Sequence, residues 1–450
     1  MELRKIENIY FVGIGGIGMS AIARYFAVHG KNVAGYDKVA TPITDALLQI
    51  DVAIHFEDAV KNIPLSFLNK EVTVVVYTPA IPSSHQELSY FKSNDYLILK
   101  RSEILGEITK DTFCLAVAGT HGKTTTSSIL GHIMQPQGGT SFLGGIAENY
   151  NSNLILGESE VSVVEADEFD RSFLKLSPDI ACITSMDADH LDIYGEESFL
   201  EESFRDFSAK VNDVLIVAKG LPLDGITYAI EEDAGYEAYD VQIVNGSYLF
   251  NVKTPTKKIE NLTFSLPGRH NLMNALAALA MADAYGVSEE TIKEQLKTFK
   301  GVKRRFSYKI KTEDVVLIDD YAHHPTEIKA VEASVRELYP EEEVLAVFQP
   351  HLFSRTRDFI DDFAKELSKF DEVVLLDIYP ARELPIEGVT SSWLLNKMTI
   401  ENKQLVSKEK MLEKILKTDK KIIVMLGAGD IGLMIEEAKE KLVRKFKAKV

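Results

Sequence analysis

The stretch Leu115-Ala-Val-Ala-Gly119-Thr120-His121-Gly122-Lys123-Thr124-Thr125-Thr126 constrains this chain more than any other. An apolar run from Phe113 to Ala118 reads as a buried strand, and a glycine turn leads from it into a helix-forming segment, Thr124 to Met134. Strand, glycine loop and helix in that order make a phosphate-binding loop. Gly119 and Gly122 let the backbone turn its N–H groups toward an anion, and the helix start adds donors and a favourable dipole. Lys123 is placed to reach terminal phosphates, and the Thr124 hydroxyl to hold Mg²⁺. The loop is a shortened variant: Val117 stands where the usual pattern has its first glycine. An ordinary strand-to-helix turn is the plainer alternative.

At 450 residues the chain has room for roughly three domains. A hydrophobic fraction of 45 % supplies ample core. The formal net charge of −18 argues against nucleic acid or an anionic membrane surface as a partner. An anionic substrate must then be held by local devices, such as glycine loops and single Arg or Lys residues. Cys114 and Cys182 lie in apolar runs and read as core thiols of a reducing compartment. No apolar run reaches transmembrane length and the N-terminus lacks a signal-peptide stretch, so a cytoplasmic location is expected.

A second glycine loop stands near the N-terminus. The strand Ile9 to Gly13 runs into Gly13-Ile-Gly15-Gly16-Ile17-Gly18, then into a helix and a second strand that ends at Asp37. An acid at that spacing is where a Rossmann unit places its ribose-binding carboxylate, and taken alone the pattern predicts NAD. The same geometry serves any diphosphate that lies over a helix start. Strand-helix alternation continues to Lys110, and Thr78 ends a strand where open α/β sheets expose ligand-contacting loops.

In the middle of the chain, Gly144-Gly145 suggests a close backbone approach. The strand Val161 to Glu165 ends in Glu165, Asp167, Glu168 and Asp170, and a second strand runs toward Asp187, Asp189 and His190. Carboxylates at strand ends downstream of a phosphate loop read as a Mg²⁺ site, while a His ligand would suit Mn²⁺ better. Exposed acids at strand ends are the alternative. Asn271 and Asn274 share one face ahead of an alanine-rich helix expected from Ala275 to Tyr285. Capping would account for one Asn but not for two plus His270. Lys303-Arg304-Arg305 is a local basic cluster in an acidic chain. The last third again alternates strand and helix, with Asp319-Asp320-Tyr321-Ala-His323-His324-Pro-Thr-Glu327 and Gln349-Pro-His351-Leu352-Phe-Ser-Arg355 at strand ends. The Asp–His–His–Glu cluster admits a metal site or a substrate loop.

In that order, Gly13 to Ala21, Gly119 to Thr125, Glu165-Ala-Asp-Glu168, Asp189-His190, Gly268-Arg-His-Asn271 with Asn274, Arg304-Arg305-Phe306, Asp319 to Glu327 and Arg355 to Asp358 resemble the Mur ligases over nearly the whole chain. The branch most resembled acts on UDP-N-acetylmuramate and L-alanine. The resemblance implies an α/β chain of three domains. A Rossmann-like N-terminal domain, 1–104, would hold the UDP-sugar. A P-loop-type ATPase domain with a mostly parallel sheet, 105–308, would hold ATP. A Rossmann-like C-terminal domain, 309–450, would hold the amino acid.

The implied activity is ATP-dependent amide ligation through an acyl phosphate in peptidoglycan synthesis, with no nucleic acid or membrane partner. Gly13, Gly15, Gly16, Ile17, Gly18, Asp37 and Thr78 would contact the UDP-sugar. ATP would lie on Gly119 to Thr125, with Lys123 on the β- and γ-phosphates. Asn271 and Asn274 would lie by the adenine, Arg305 by the phosphates and Asp320 by the ribose. Thr124 and Glu165 would hold one Mg²⁺ and His190 would help hold a second, with Mn²⁺ as an alternative. Tyr321, His323, His324, His351 and Arg355 would line the amino-acid pocket, with His323 or His324 taking a proton from the amine.

Besides the unfamiliar connection Gln135-Pro-Gln-Gly-Gly139, which carries no functional reading, two positions depart from the family pattern. Leu352 stands where several members carry a charge. Arg205 stands where some carry a carbamylated lysine, which suggests a direct cation–phosphate contact there. The rival readings are a relative that adds a wall peptide, an NAD-dependent oxidoreductase, and a non-catalytic ATP switch.

Overall fold

The computed structural model describes residues 5–187, 197–244, 246–381 and 383–447. Three sheets organise them. The first has β1 (Asn8–Val12), β2 (Asn32–Tyr36), β3 (Ala53–His55), β4 (Thr73–Tyr77) and β5 (Leu97–Lys100) in the order β3-β2-β1-β4-β5. All its pairings are parallel. β1 is buried along its whole length, as a parallel strand covered on both faces must be, which explains its apolar run from Ile9 to Val12.

The second sheet has ten strands: β6 (Phe113–Ala118), β7 (Thr140–Ala147), β8 (Ser152–Ile155), β9 (Val161–Glu165), β10 (Ile180–Ile183), β11 (Val214–Ala218), β12 (Ile226–Ile230), β13 (Tyr236–Val244), β14 (Ser247–Lys253) and β15 (Lys258–Phe264). Their order is β15-β14-β13-β12-β11-β10-β6-β9-β7-β8. The seven strands from β13 to β7 pair in parallel, and the hairpins β7–β8 and β14–β15 are antiparallel. The helix Lys123–Met134 is buried from Thr124 onward, so its apolar and hydroxyl side chains face protein on all sides. It stops at Gln135-Pro-Gln-Gly-Gly139, where Gly138 takes φ +75° and the N–H of Gly139 returns to the Met134 carbonyl.

The third sheet has β16 (Ser307–Lys311), β17 (Val316–Asp320), β18 (Val344–Phe348), β19 (Glu372–Leu375), β20 (Lys403–Leu405) and β21 (Ile422–Leu426) in the order β16-β17-β21-β18-β19-β20. Only the β16–β17 pair is antiparallel. Backbone contacts group the chain into two compact units. One comprises 1–244, 248–265 and 273–300, with the first two sheets, and the other 245–247, 266–272 and 301–450, with the third. The division expected between 308 and 309 therefore falls inside β16. The expected alanine-rich helix is longer, Arg269–Tyr285, so Asn271 and Asn274 lie in its first turns rather than ahead of it. Among the described residues no helix is long and apolar enough to cross a membrane.

The cation–phosphate contact expected of Arg205 is not supported. Arg205 lies in the last turn of the helix Glu197–Ser208, 3.7 Å from Glu201, and lines a groove with Asp213, Val214 and Ile226, where β11 and β12 begin. Those strands run parallel to β6 through β10. Their beginnings are thus at the opposite end of the sheet from the phosphate loop.

Candidate functional site

The phosphate loop leaves the C-terminal end of β6, where open α/β sheets bind ligands. Gly119 has φ +130°, and a Cβ there would fall 2.2 Å from Thr184 Oγ1. Gly122 has φ +83°, and a Cβ there would fall 2.5 Å from Asn274 Oδ1. Both positions therefore require glycine for backbone conformation and for space. The loop is anchored by Ser185, whose hydroxyl accepts from the His121 N–H at 2.7 Å and meets Thr120 Oγ1 at 3.0 Å. Thr120 Oγ1 accepts from the Asp187 N–H at 3.0 Å. Thr126 donates to Asn274 Oδ1 at 3.2 Å, and Thr125 is buried.

Lys123 donates to the Gly119 carbonyl at 2.6 Å and to Glu168 Oε1 at 3.0 Å. Burial alone would lower its pKa, but the carboxylates of Glu168, Asp167 and Glu165 reverse that and raise it. The ammonium is thus kept charged and aimed back into its own loop. Glu168, fully buried, is the partner that the sequence lists only among four acids.

The Thr124 hydroxyl donates to Glu165 Oε1 at 3.1 Å, and Glu165 Oε2 accepts from the Gly144 N–H at 3.1 Å. A Cβ on Gly144 would fall 2.3 Å from that carboxylate, which is the close approach read from the paired glycines. Two oxygen donors side by side, one anionic, at the edge of a phosphate loop fit a hard divalent cation. His190, expected to help hold a second ion, lies outside the described residues. Among the described residues no three His, Cys, Asp or Glu side chains converge as a metal cluster, so the metal reading of the Asp–His–His–Glu group is not supported.

The first glycine loop is built differently. Gly13 has φ +91°, and a Cβ there would meet Thr78 Cγ2 at 2.8 Å, which sets Thr78 beside the loop. Gly15 donates its N–H to Asp37 Oδ2 at 2.7 Å. Gly16 precedes the helix Ile17–Val28, whose first carbonyl, Ile17 O, accepts from Asn153 Nδ2 at 2.6 Å. A Cβ on Gly18 would fall 2.9 Å from Arg101 Nη1, and Arg101 pairs with Asp167 at 3.0 Å. Arg101 is a cation at this loop that motif reasoning misses. It opens the later helix Arg101–Thr109, at no fixed spacing from the loop, and no sequence signal marks it.

In the second unit, Asp320 ends β17 and is buried. Its oxygens accept from the N–H groups of Phe306 at 2.6 Å and Ala322 at 2.7 Å. Burial pushes its pKa up to about 6, against the opposing pull of Arg305. Arg304 and Phe306, on either side of Arg305, have φ of +63° and +47°. Arg305 lies over the Tyr321 ring at 5.3 Å and 3.4 Å from Glu327. The rings of His323 and His351 are 5.7 Å apart, and His351 stacks on Tyr379 at 5.7 Å. His324 caps the helix Pro325–Leu338, accepting the Thr326 N–H on Nδ1 at 3.3 Å, with its ring 4.7 Å from that of Phe359. Leu352, in place of a charge, takes φ +71° and starts the helix Phe353–Asp358, which carries the buried Arg355. Asn271 donates to the Pro267 carbonyl at 2.7 Å instead of capping the helix.

Three family models match the chain in sequence. They are the Mur ligase family catalytic domain over residues 8–112, the Mur ligase middle domain over 117–282, and the Mur ligase glutamate ligase domain over 304–434. The chain is 59 % identical to a UDP-N-acetylmuramate–L-alanine ligase of Flavobacterium psychrophilum, covering 99 % of this chain and 100 % of the relative. The ligase of that name from Parabacteroides distasonis is 45 % identical, covering 99 % of this chain and 100 % of the relative. Among solved structures, the UDP-N-acetylmuramate–alanine ligase of Thermotoga maritima superposes with a TM-score of 0.81 at 27 % identity, over 98 % of this chain and 100 % of that one. A murein peptide ligase of Psychrobacter arcticus shares the fold, with a TM-score of 0.71 at 22 % identity over 98 % of each chain.

Proposed function

The chain belongs to the Mur ligase family, and on that premise we propose how its residues divide the work of the reaction. It joins L-alanine to UDP-N-acetylmuramate in peptidoglycan synthesis, with ATP as co-substrate. The observation that carries this is the end-to-end match to enzymes of that activity, with all three family segments in order.

A muramoyl carboxylate is a poor electrophile, so the γ-phosphoryl group of ATP is transferred to it first, giving an acyl phosphate that the amine of L-alanine then attacks. The first loop and Thr78 take the diphosphate and the adjoining sugar, with backbone N–H groups as the main donors. Lys123 takes the β- and γ-phosphates and offsets charge as transfer proceeds. Mg²⁺, or Mn²⁺ in its place, would be held by Thr124 and Glu165 and would neutralise phosphate charge. Arg305 serves the phosphates, and Asp320 the ribose while it also holds the turn that carries Arg305. Asn274, against Gly122 and Thr126, supports the loop beneath the nucleotide, and Asn271 serves the adenine. Tyr321, His351 and Arg355 serve the amino acid, Arg355 through its carboxylate.

Of the two candidate bases, His323 is the better placed, because the Nδ1 of His324 is occupied as a helix cap in a buried site. The use of ATP supports a cytoplasmic location. The test is phosphate release from Mg-ATP with UDP-N-acetylmuramate, adding L-alanine, glycine, L-serine or a wall tripeptide in turn. Release should require both the sugar nucleotide and L-alanine. Dependence on the tripeptide would move the chain to a peptide-adding branch, and release without any amino acid would overturn the ligase reading.

A further inference from the structure

Glu327 carries no role in the scheme above, yet its two oxygens face two different parts of it. It lies in the first turn of the helix Pro325–Leu338. Oε2 accepts from the backbone N–H groups of His323 at 2.9 Å and His324 at 3.2 Å, and lies 3.2 Å from His323 Nδ1. Oε1 lies 3.4 Å from Arg305 Nη1. His323 Nδ1 is also 3.0 Å from the Tyr321 carbonyl oxygen. Both of these Nδ1 neighbours, a carbonyl and a carboxylate, are acceptors only. Nδ1 therefore carries the proton, and the neutral ring presents Nε2 as its lone pair. His324 is held in the other tautomer, because its Nδ1 accepts a backbone N–H.

We propose that Glu327 is a positioning residue for both halves of the ligation: through Oε2 it orients His323 as proton acceptor for the amine, and through Oε1 it holds Arg305 at the phosphoryl end. The inference rests on the ligase reading of the chain. In the second half-reaction, His323 Nε2 takes one proton from the alanine ammonium. The freed amine attacks the acyl carbon, the C–N bond forms and the C–O bond to phosphate breaks. Phosphate leaves with that electron pair and with the second nitrogen proton. A carboxylate behind Nδ1 stabilises the imidazolium as it forms, the part the aspartate plays behind the histidine of a serine protease. Capping alone would account for the two N–H contacts, but not for a carboxylate placed against both His323 Nδ1 and Arg305.

The other groups around His323 are Tyr321 on its own loop, Arg305 over the Tyr321 ring, and His351 with Tyr379 behind it. Asp320 interacts with Arg305 and Glu327, and so does His270, whose pKa burial lowers to about 4. None of these replaces the carboxylate at Nδ1.

The test is Glu327→Gln, with two readouts. The first is the pH profile of kcat/KM for L-alanine. The second is positional isotope exchange in oxygen-labelled ATP with UDP-N-acetylmuramate and no amino acid, which reports acyl-phosphate formation alone. Loss of the carboxylate should lower kcat/KM about a hundredfold, within the range of general-base effects. It should also move the acid limb to lower pH by about one unit, since the imidazolium loses its counter-charge. Exchange should fall as well. His323→Gln should lose ligation while retaining exchange, and Glu327→Asp should move the acid limb back toward wild type. A Glu327→Gln enzyme with a wild-type acid limb and wild-type exchange, altered only in melting temperature, would leave Glu327 as a helix cap and overturn the proposal. If the wild-type chain releases no phosphate with UDP-N-acetylmuramate and L-alanine, the ligase reading itself fails, which is a separate result.

Discussion

Two turns in this molecule share one plan, a buried parallel strand, a glycine loop and a helix start, yet they handle charge in opposite ways. The Gly119–Thr124 loop carries its own cation, Lys123, and stores it against Glu168 and the Gly119 carbonyl. The Gly13–Gly18 loop carries no cation of its own. One of its amides is taken by Asp37, and the cation against Gly18, Arg101, comes from the start of a later helix and is shared with Asp167. The difference teaches that a glycine loop is a generic holder for a diphosphate. A lysine built into the loop adapts it to phosphoryl transfer, where charge must be offset as bonds change. In the proposed scheme the first loop only holds a diphosphate, for which helix dipole and backbone amides suffice. The NAD expectation falls because the chain belongs to the Mur ligases, and Asp37 accepts from the Gly15 N–H of its own loop.

The largest break in the comparison should come from Lys123→Ala. It is expected to lower kcat by at least about a hundredfold, as removal of a transition-state donor does, with an unchanged circular dichroism spectrum. Near-normal ligation would remove the distinction between the loops. A smaller effect separates the glycines. Gly122→Ala forces a left-handed residue at a cost of about 1–2 kcal/mol and overlaps Asn274, so the KM for ATP should rise about tenfold or more. Gly15→Ala crowds Asp37 and Thr44 without backbone strain and should raise only the KM for UDP-N-acetylmuramate, by less. Equal effects of both variants on both substrates would contradict separate roles.

The smallest effect concerns buried carboxylates with and without a cation. Glu168 is paired with Lys123, whereas Glu87, near the first sheet, is fully buried against the Tyr10 hydroxyl, the Ala59 N–H and, at 3.4 Å, the His55 imidazole, which burial disfavours from taking a proton. Burial raises its pKa from 4.5 to about 7. The folded state therefore binds this proton more tightly than the unfolded chain, and stability should decline as pH rises from about 4.5 to about 7 and then level off. Glu87→Gln cannot ionise, so melting temperatures measured across that window should lose this component of the slope. An unchanged slope would place the titration elsewhere.

Much of this was legible in the chain itself. Strand bounds such as Phe113–Ala118 and Val344–Phe348 follow from unbroken apolar runs, because parallel strands are buried on both faces. Lys123, Thr124 and Glu165 follow from motif chemistry. The start of the helix at Arg269 was not legible, since Pro267-Gly268 and two asparagines mimic a loop and burial overrides their weak helix propensity. Arg205 misled because spacing along a chain says nothing about which end of a sheet a helix side chain reaches.

The sequence by itself determined the fold class, the order of the three segments and the glycine turn that follows β6, because each is written in local periodicity and in glycines with no substitute. Only the tertiary structure decided which carboxylate holds Lys123, that Arg101 lies against the first loop, and which acceptors face Nδ1 of His323. Those are pairings between residues far apart in sequence or between side chain and folded backbone, and they exist only once distant strand ends are brought to one edge of a sheet.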